Sequence, residues 1–381
     1  MKLRGKAKQR ERARRRAAEL QGAPLVMSQD RRQAMLRERG ADLAVIVGRE
    51  DECIEVLTQA LELDPDDFRS RLGLSFVLMR LGEYERALPY YSEVMIEDGR
   101  EAPAWRGEAL RGCCVAMRIN LDHPALGDWI FGARYIRPLM ERAAKVVVEV
   151  PTKFRSMAHN WNDVVVVHEG DQMPAIDYEV TPMFMLPAFK TTLESIPPCP
   201  YITAPADRVE HWRQRLPRAG RRLVAIGWTG GGNPDARKLR SMPLASVKKI
   251  LAAPDVQFVS VERFLPPDVV ARLSIQFDLI HVGDQVSDDM GELASVLSVC
   301  DHTISIDNST AHLAGALGRP MSLMLTDGAA GGEWRWHCVG RDHAPWYPSA
   351  RIFRRTEHGD WSDVVEQVCA SGFAGTLRAA A

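Results

Sequence analysis

The sequence predicts an α/β protein made of two doubly wound parallel-sheet halves, preceded by a short all-helical array of hairpin repeats. Three observations carry this expectation. Residues 34–67 and 68–101 share a period of about 34 residues with small and large side chains in phase. From Cys113 onward, short apolar β-rich runs alternate with helix-length segments. Between Asp301 and Leu325 one complete strand–turn–helix–strand unit can be read residue by residue.

The elements follow from the N-terminus. Lys2, Arg4, Lys6, Lys8, Arg10, Arg12 and Arg14 to Arg16 stand against a lone Glu11. Residues 1–33 therefore read as a basic tail, solvated and disordered or helical, or else in contact with nucleic acid or acidic lipid. In 68–101, Leu74, Ser75, Gly82, Tyr84, Ala87 and Tyr91 fall at the positions of a tetratricopeptide unit. The unit 34–67 is degenerate but keeps Ala41, Gly48, Ala60 and Pro65 in phase. A third unit is expected to begin with Trp105 and Ala109 and to stop after one helix, so the array spans 34–112. It is either a binding ledge for a partner or a structural cap on its neighbour.

The first α/β half, 113–215, is read as strands at Val115 to Ile119, Lys145 to Val150 and Val164 to Val167, with Tyr178 to Met185 the candidate fourth. One helix is expected over Asp128 to Arg142. Pro197-Pro198-Cys199-Pro200 and the polar stretch to Gly220 read as a linker. The second half, 216–381, starts with the strand Leu223 to Trp228 and continues with Val256–Val261, Leu279–Val282, Thr303–Ile306 and Met321–Leu325. Two such halves enclose a cleft, and ligands of α/β proteins bind outside the carboxyl ends of the strands.

Composition limits the function. The chain of 381 residues holds 49 Lys and Arg against 50 Asp and Glu, so no global attraction to nucleic acid arises. No apolar stretch approaches a membrane span or a signal-peptide core. Seven scattered cysteines without C-x-x-C spacing fit reduced thiols and a cytoplasmic location, and the ten histidines form no metal-ligand spacing.

Two turns carry the chemistry. Asn308 or Ser309 sits at a helix N-cap, which would leave the N–H groups of Thr310, Ala311 and His312 pointing outward toward an anion such as a diphosphate. The earlier turn Thr229-Gly230-Gly231-Gly232-Asn233-Pro234, followed by Arg237, Lys238 and Arg240, combines close backbone approach with cations. It is neither a Walker loop nor a dinucleotide fingerprint. In the first half, Asp128 follows the loop Asp122-His123-Pro124-Ala125-Leu126-Gly127. It is either a general base for an acceptor hydroxyl or a cap of its own helix. His123 is a lesser candidate for the same work.

The tracts LGDWIFGARY (126–135), MLPAFKTTLESIP (185–197), RSMPL (240–244), SIDNSTAHLAGALGRP (305–320) and PWYPSARIF (345–353) together resemble bacterial tetratricopeptide-containing glycosyltransferases. These are similar to the ADP-heptose:lipopolysaccharide heptosyltransferases. The resemblance covers about 34 to 370. It implies a GT-B fold, two Rossmann-like domains (acceptor, then donor) without an obligatory metal or cofactor. Its implied co-substrate is a nucleoside-diphosphate sugar, ADP-heptose favoured, and its acceptor a protein or cell-surface glycan, docked on the repeats in the former case. Carried over, Asp128 matches the general base, Asp307 the donor-sugar contact, Ser309 and Thr310 the diphosphate-binding helix start, Arg240 a phosphate contact and Glu262 a nucleoside contact. Gly230, Gly231, Asn308 and His312 complete the donor set. The implied reaction is a single inverting displacement. Two departures stand out: Ala125 replaces a glycine, and Asp122-His123 replace a Glu-Gln pair. Trp334-Arg335-Trp336 fits the family's tail, with its tryptophans read as packing ahead of sugar stacking. The rival function is a non-catalytic interaction protein that keeps the same shell.

Overall fold

The computed structural model describes residues 28–44, 46, 48–95, 99, 101–119, 125–218, 220–231, 237–238, 240–263, 265–326, 333–336, 339, 341, 343–355 and 360–373. The basic tail to residue 27, Asp122, His123, Gly232, Asn233, Pro234 and Cys338 lie outside them.

Four helices come first: Gln29–Ala44, Glu50–Leu63, Phe68–Arg80 and Tyr84–Met95. They form two antiparallel hairpins. Asp67 caps the third helix by accepting from Ser70 N at 2.9 Å, and Gly82 takes the positive φ of 83° that the turn into the fourth requires. Leu74, Tyr84, Ala87 and Tyr91, the in-phase positions, are buried between helices. The expected third repeat does not form. Residues 101–112 carry no helix; Ala104 instead pairs with Glu179 at the edge of the first sheet, and Trp105 N donates to Glu179 O at 2.8 Å.

The first sheet contains β1 (Cys114–Met117), β2 (Lys145–Val150), β3 (Val165–His168) and β4 (Tyr178–Val180), all parallel, in the order β3-β2-β1-β4. β4 ends at Val180 rather than running to Met185, because Pro182 cannot donate to a ladder. The next residues form the short helix Met185–Ala188. The helix expected over Asp128 to Arg142 is two, Leu126–Ala133 and Ile136–Met140. Pro138 has no N–H for the Arg134 carbonyl, so the ladder cannot run through.

The second sheet has seven strands: β5 (Arg222–Gly227), β6 (Val256–Ser260), β7 (Ile280–His281), β8 (His302–Ile306), β9 (Met321–Leu325), β10 (His343–Ala344) and β11 (Tyr347–Arg354). Their order is β10-β11-β9-β8-β5-β6-β7, parallel except for β10 against β11. β11 was not among the expected strands; it pairs with β9 through Ala350 and Met321. The stretch read as a linker contains the helix Ala206–Arg215. Its buried Trp212 donates Nε1 to Glu292 at 2.6 Å, and Arg208 pairs with Glu292 of the helix Met290–Val299 and with Asp289, the N-cap of that helix. Among the described residues no helix is long and apolar enough to cross a membrane.

The chain is therefore a helical repeat array followed by two parallel α/β units. The array is docked rather than dangling. Tyr84 accepts from Trp346 Nε1 at 2.7 Å, while Phe76 and Tyr91 lie 6.3 and 6.2 Å from the Trp334 ring. Between the α/β units, Arg134 is fully buried with Phe131, Tyr201, Trp346 and Tyr347 rings at 4.7 to 4.9 Å, and it donates to the Trp346 carbonyl at 3.0 Å. Aromatic faces of this kind stabilise a desolvated cation in place of a carboxylate.

Burial of His302 makes stability depend on pH. Its Nε2 lies 2.9 Å from Ser322 Oγ on the neighbouring strand, and burial pushes its imidazole down to about 4. The unfolded chain takes up that proton near pH 6.5 and the folded one does not, so stability falls as pH drops from 6.5 toward 4. At pH 5.5 the loss is about 1.4 kcal/mol. His302→Gln keeps a hydrogen-bonding group and removes the titration. It is expected to shallow the acid limb of the melting temperature against pH. An unchanged limb would assign acid sensitivity to other groups.

Candidate functional site

The second sheet reverses its strand order between β5 and β8, and the two turns predicted from the sequence leave the carboxyl ends of those two strands. They meet through Asn308. Its Oδ1 accepts from Ala311 N and from Ser305 Oγ, each at 3.1 Å, and its Nδ2 donates to Thr229 O at 3.2 Å. Asn308 is thus the N-cap of the helix Ser309–Ala316 and the tie between the turns. The set of open N–H groups differs from the expected one. The Ala311 amide is held by the Asn308 side chain and the His312 amide by the Asn308 carbonyl at 3.2 Å. The helix geometry leaves the amides of Ser309 and Thr310 facing outward.

The first turn is held from beneath. Glu262, 4% exposed, accepts from Thr229 N at 2.7 Å and from Trp228 N. Burial raises its carboxyl above the usual range against the pull of those amides. Gly230 N donates to Ser241 Oγ at 3.0 Å, and a Cβ at Gly230 would lie 3.0 Å from the Arg240 Cβ. Gly231 has no such crowding; its carbonyl accepts from Arg240. Arg240 Nη1 also stands 3.6 Å from Asp307 Oδ2, which places a cation at the mouth of both turns.

The first sheet has its switch point between β1 and β4. A cavity of about 680 Å³ opens there, bordered by Ile119, Pro151, Glu169 and Thr181, which follow β1, β2, β3 and β4 in turn. Asp128 lines it from the first turn of Leu126–Ala133. It does not cap that helix: the N-cap is Ala125, without a side-chain bond. Its carboxylate instead pairs with Arg335, Oδ1 to Nη2 at 3.0 Å.

Three consecutive residues join the parts. Trp334 packs on the repeat array, Arg335 holds Asp128, and Trp336 donates Nε1 to Asp307 Oδ1 at 2.9 Å. Arg335 is steadied by the Phe131 and Trp334 rings at 5.4 and 5.3 Å. The two aspartates, one from each α/β unit, are thereby fixed by neighbouring links of one strand of chain. His312 closes the arrangement. It lies 4.6 Å from the Trp336 ring, its Nδ1 is 2.9 Å from the Tyr347 hydroxyl, and a Cβ on Gly127 would fall 2.8 Å from its Cδ2. Burial, reinforced by the Arg335, Arg134 and Arg240 charges, holds His312 far below the usual histidine range. It is neutral, so its 4.0 Å approach to Asp307 is not an ion pair.

Asp307, Asn308, Ser309, Thr310, Arg240, Gly230 and Gly231 accordingly gather at the ends of the two turns, with Asp128 across the Gly127–His312 contact. His312, expected in the donor set, is instead buried behind them with its amide and ring both engaged. Reading the sequence missed Arg335, and gave Trp336 to packing when its N–H serves Asp307. The only local signal was an arginine flanked by two tryptophans. Among the described residues no cluster of His, Cys, Asp and Glu is arranged to hold a metal ion.

Residues 45–110 match the tetratricopeptide repeat family. Protein FlbA of Caulobacter vibrioides is 27% identical over 243 residues, 62% of this chain; the chain matches it over 39% of its length. Among solved structures, the E. coli ADP-heptose LPS heptosyltransferase II shares 12% identity over 68% of this chain and 96% of its own, with a TM-score of 0.48. The glycosyl transferase family 9 protein from Veillonella parvula shares 13% over 70% and 97%, with a TM-score of 0.45. The architecture is that of tetratricopeptide hairpins followed by two largely parallel α/β units.

Proposed function

We propose that this protein is a glycosyltransferase. It moves a sugar from a nucleoside-diphosphate donor to a hydroxyl of a protein or glycan, by one inverting displacement and without an obligatory metal. The observation that supports this most is the pairing of Asp128 and Asp307 by Arg335 and Trp336, which sets a carboxylate of one switch point against an anion-favouring helix start at the other.

The roles follow from position. Asp128 takes the acceptor proton, and the freed oxygen attacks the anomeric carbon. Asp307, held by Trp336, meets the donor sugar. The departing diphosphate gathers charge beside the amides of Ser309 and Thr310 and the Arg240 guanidinium, whose positive fields are already in place before reaction. The nucleoside lies on the Glu262 side of the first turn. ADP-heptose is the donor favoured by the sequence resemblance.

Calorimetric titration with ADP, UDP, GDP, CDP and dTDP, without metal and then with magnesium, tests the proposal. Tight binding of one diphosphate is expected. Binding of none by folded protein would favour a non-catalytic interaction protein that keeps the shell. Arg240→Ala is expected to weaken the preferred diphosphate roughly 10-fold or more, the loss of one charge-assisted contact. Unchanged affinity would remove Arg240 from the phosphate site.

A further inference from the structure

The cavity beside Asp128 has a chemistry of its own. At about 680 Å³ it is of a size that holds several side chains or a small molecule. Its walls are mainly apolar: Met95, Ile119, Leu126, Trp129, Pro182 and Met183. Met95 is the last residue of the repeat array's final helix, so the array runs directly into the cavity wall.

The charges around it are lopsided. Asp128, Glu169 and Asp288 stand against Lys153 and Arg335, and both cations are already engaged. Lys153 donates to the Ser287 carbonyl at 3.0 Å and to Asp288 at 3.2 Å, while Arg335 is bound to Asp128. Glu169 is exposed, and its hydrogen bonds come only from Thr152 N and Oγ1 at 3.0 and 2.9 Å, neither of them a charge. Arg155 acts on Glu169 from outside the wall, and among the described residues that line the cavity both cations are taken, so an acidic acceptor entering here would meet carboxylates first. A sugar acceptor lacks a platform too. Among the described residues the one aromatic ring in the wall, Trp129, is 3% exposed, covered by Phe154 at 4.7 Å and Trp161 at 5.1 Å, and its Nε1 is used on the Glu149 carbonyl.

We infer that the acceptor is a peptide segment that presents a Ser or Thr hydroxyl between apolar residues, with a basic residue to meet Glu169 and no acidic ones. This rests on the glycosyltransferase reading, in which the cavity receives the acceptor and Asp128 is its base. Apolar flanks displace water from the wall, and the hydroxyl alone needs a polar partner, which Asp128 supplies.

Fluorescence anisotropy tests it with three labelled heptapeptides and a phosphorylated disaccharide. The first peptide has a central threonine, apolar residues on both sides and a terminal lysine. The second carries aspartate in place of lysine, and the third glycines in place of the apolar residues. The first is expected to bind at least tenfold more tightly than the other two and than the disaccharide. Leu126→Asp should abolish its binding, with an unchanged melting temperature and diphosphate titration as controls. Glu169→Gln, a rim change, should narrow the gap between lysine and aspartate peptides. Equal binding of the aspartate peptide, preference for the disaccharide, or no effect of either variant would overturn the inference. Diphosphate binding with no peptide binding would overturn it and spare the glycosyltransferase. Peptide binding without any diphosphate binding would overturn both, leaving a peptide-binding cavity with no transfer to serve.

Discussion

Asp128→Asn is expected to lower turnover by roughly 10²- to 10⁴-fold, the usual contribution of a general base, while diphosphate affinity stays as in the parent. The choice of asparagine matters. Arg335 is only 18% exposed and its Nη2 rests on Asp128 Oδ1 at 3.0 Å. Alanine would leave that guanidinium without its acceptor, and stranding a buried ion costs up to about 3–5 kcal/mol. A dead alanine variant would then confound folding with chemistry. Asparagine keeps a carbonyl oxygen for Arg335 and removes only the proton acceptor. The two hydrogen-bonding needs of the site are separable for the same reason: Oδ1 is held by Arg335, which leaves Oδ2 for the acceptor hydroxyl. Turnover equal to the parent's, with a matching melting temperature, would remove Asp128 as the base.

The same contacts show what a sequence can and cannot reveal. The β8 strand, the Asn308 cap and the Ser309–Ala316 helix were legible because every determinant is local: a β-rich run, a capping side chain, a small-residue helix and Gly318 at φ 66° beyond its end. The tie from Asn308 to Thr229 spans 79 positions and has no local signature. Arg335 and Trp336 were illegible for the same reason, since their partners Asp128 and Asp307 are remote in the chain. The third repeat failed for a different cause. Trp105 and Ala109 match the period, yet this segment pairs its backbone with Glu179 in place of a helix. β11 escaped because Pro348 and Ser349 blur its alternation, although its burial repeats along the strand once it lies beside β9.

Gly127→Ala is expected to lower turnover by on the order of 10²-fold, with little change in diphosphate affinity. Gly127 sits one residue before Asp128, where the first α/β unit touches the second. An added Cβ would come within 2.8 Å of His312 Cδ2, closer than real contacts allow, and 3.3 Å from its Nε2, which is tight. His312 cannot swing away: it is 3% exposed, bonded to the Tyr347 hydroxyl at 2.9 Å and packed 4.6 Å from the Trp336 ring. The Leu126–Ala133 helix must retreat instead, and it carries Asp128 away from Asp307. A shift of about 1 Å at reacting groups is enough for a loss of that size. The proposed diphosphate contacts, Ser309, Thr310 and Arg240, lie wholly within the second unit, so they stay intact. His312→Ala tests the cause through a double-mutant cycle. If the clash alone is responsible, Gly127→Ala costs far less in the His312→Ala background, and the two changes are strongly non-additive. Additive losses would mean that Gly127 serves helix geometry rather than the approach of the two units. In that case the Gly127–His312 contact no longer explains how Asp128 is brought to the donor.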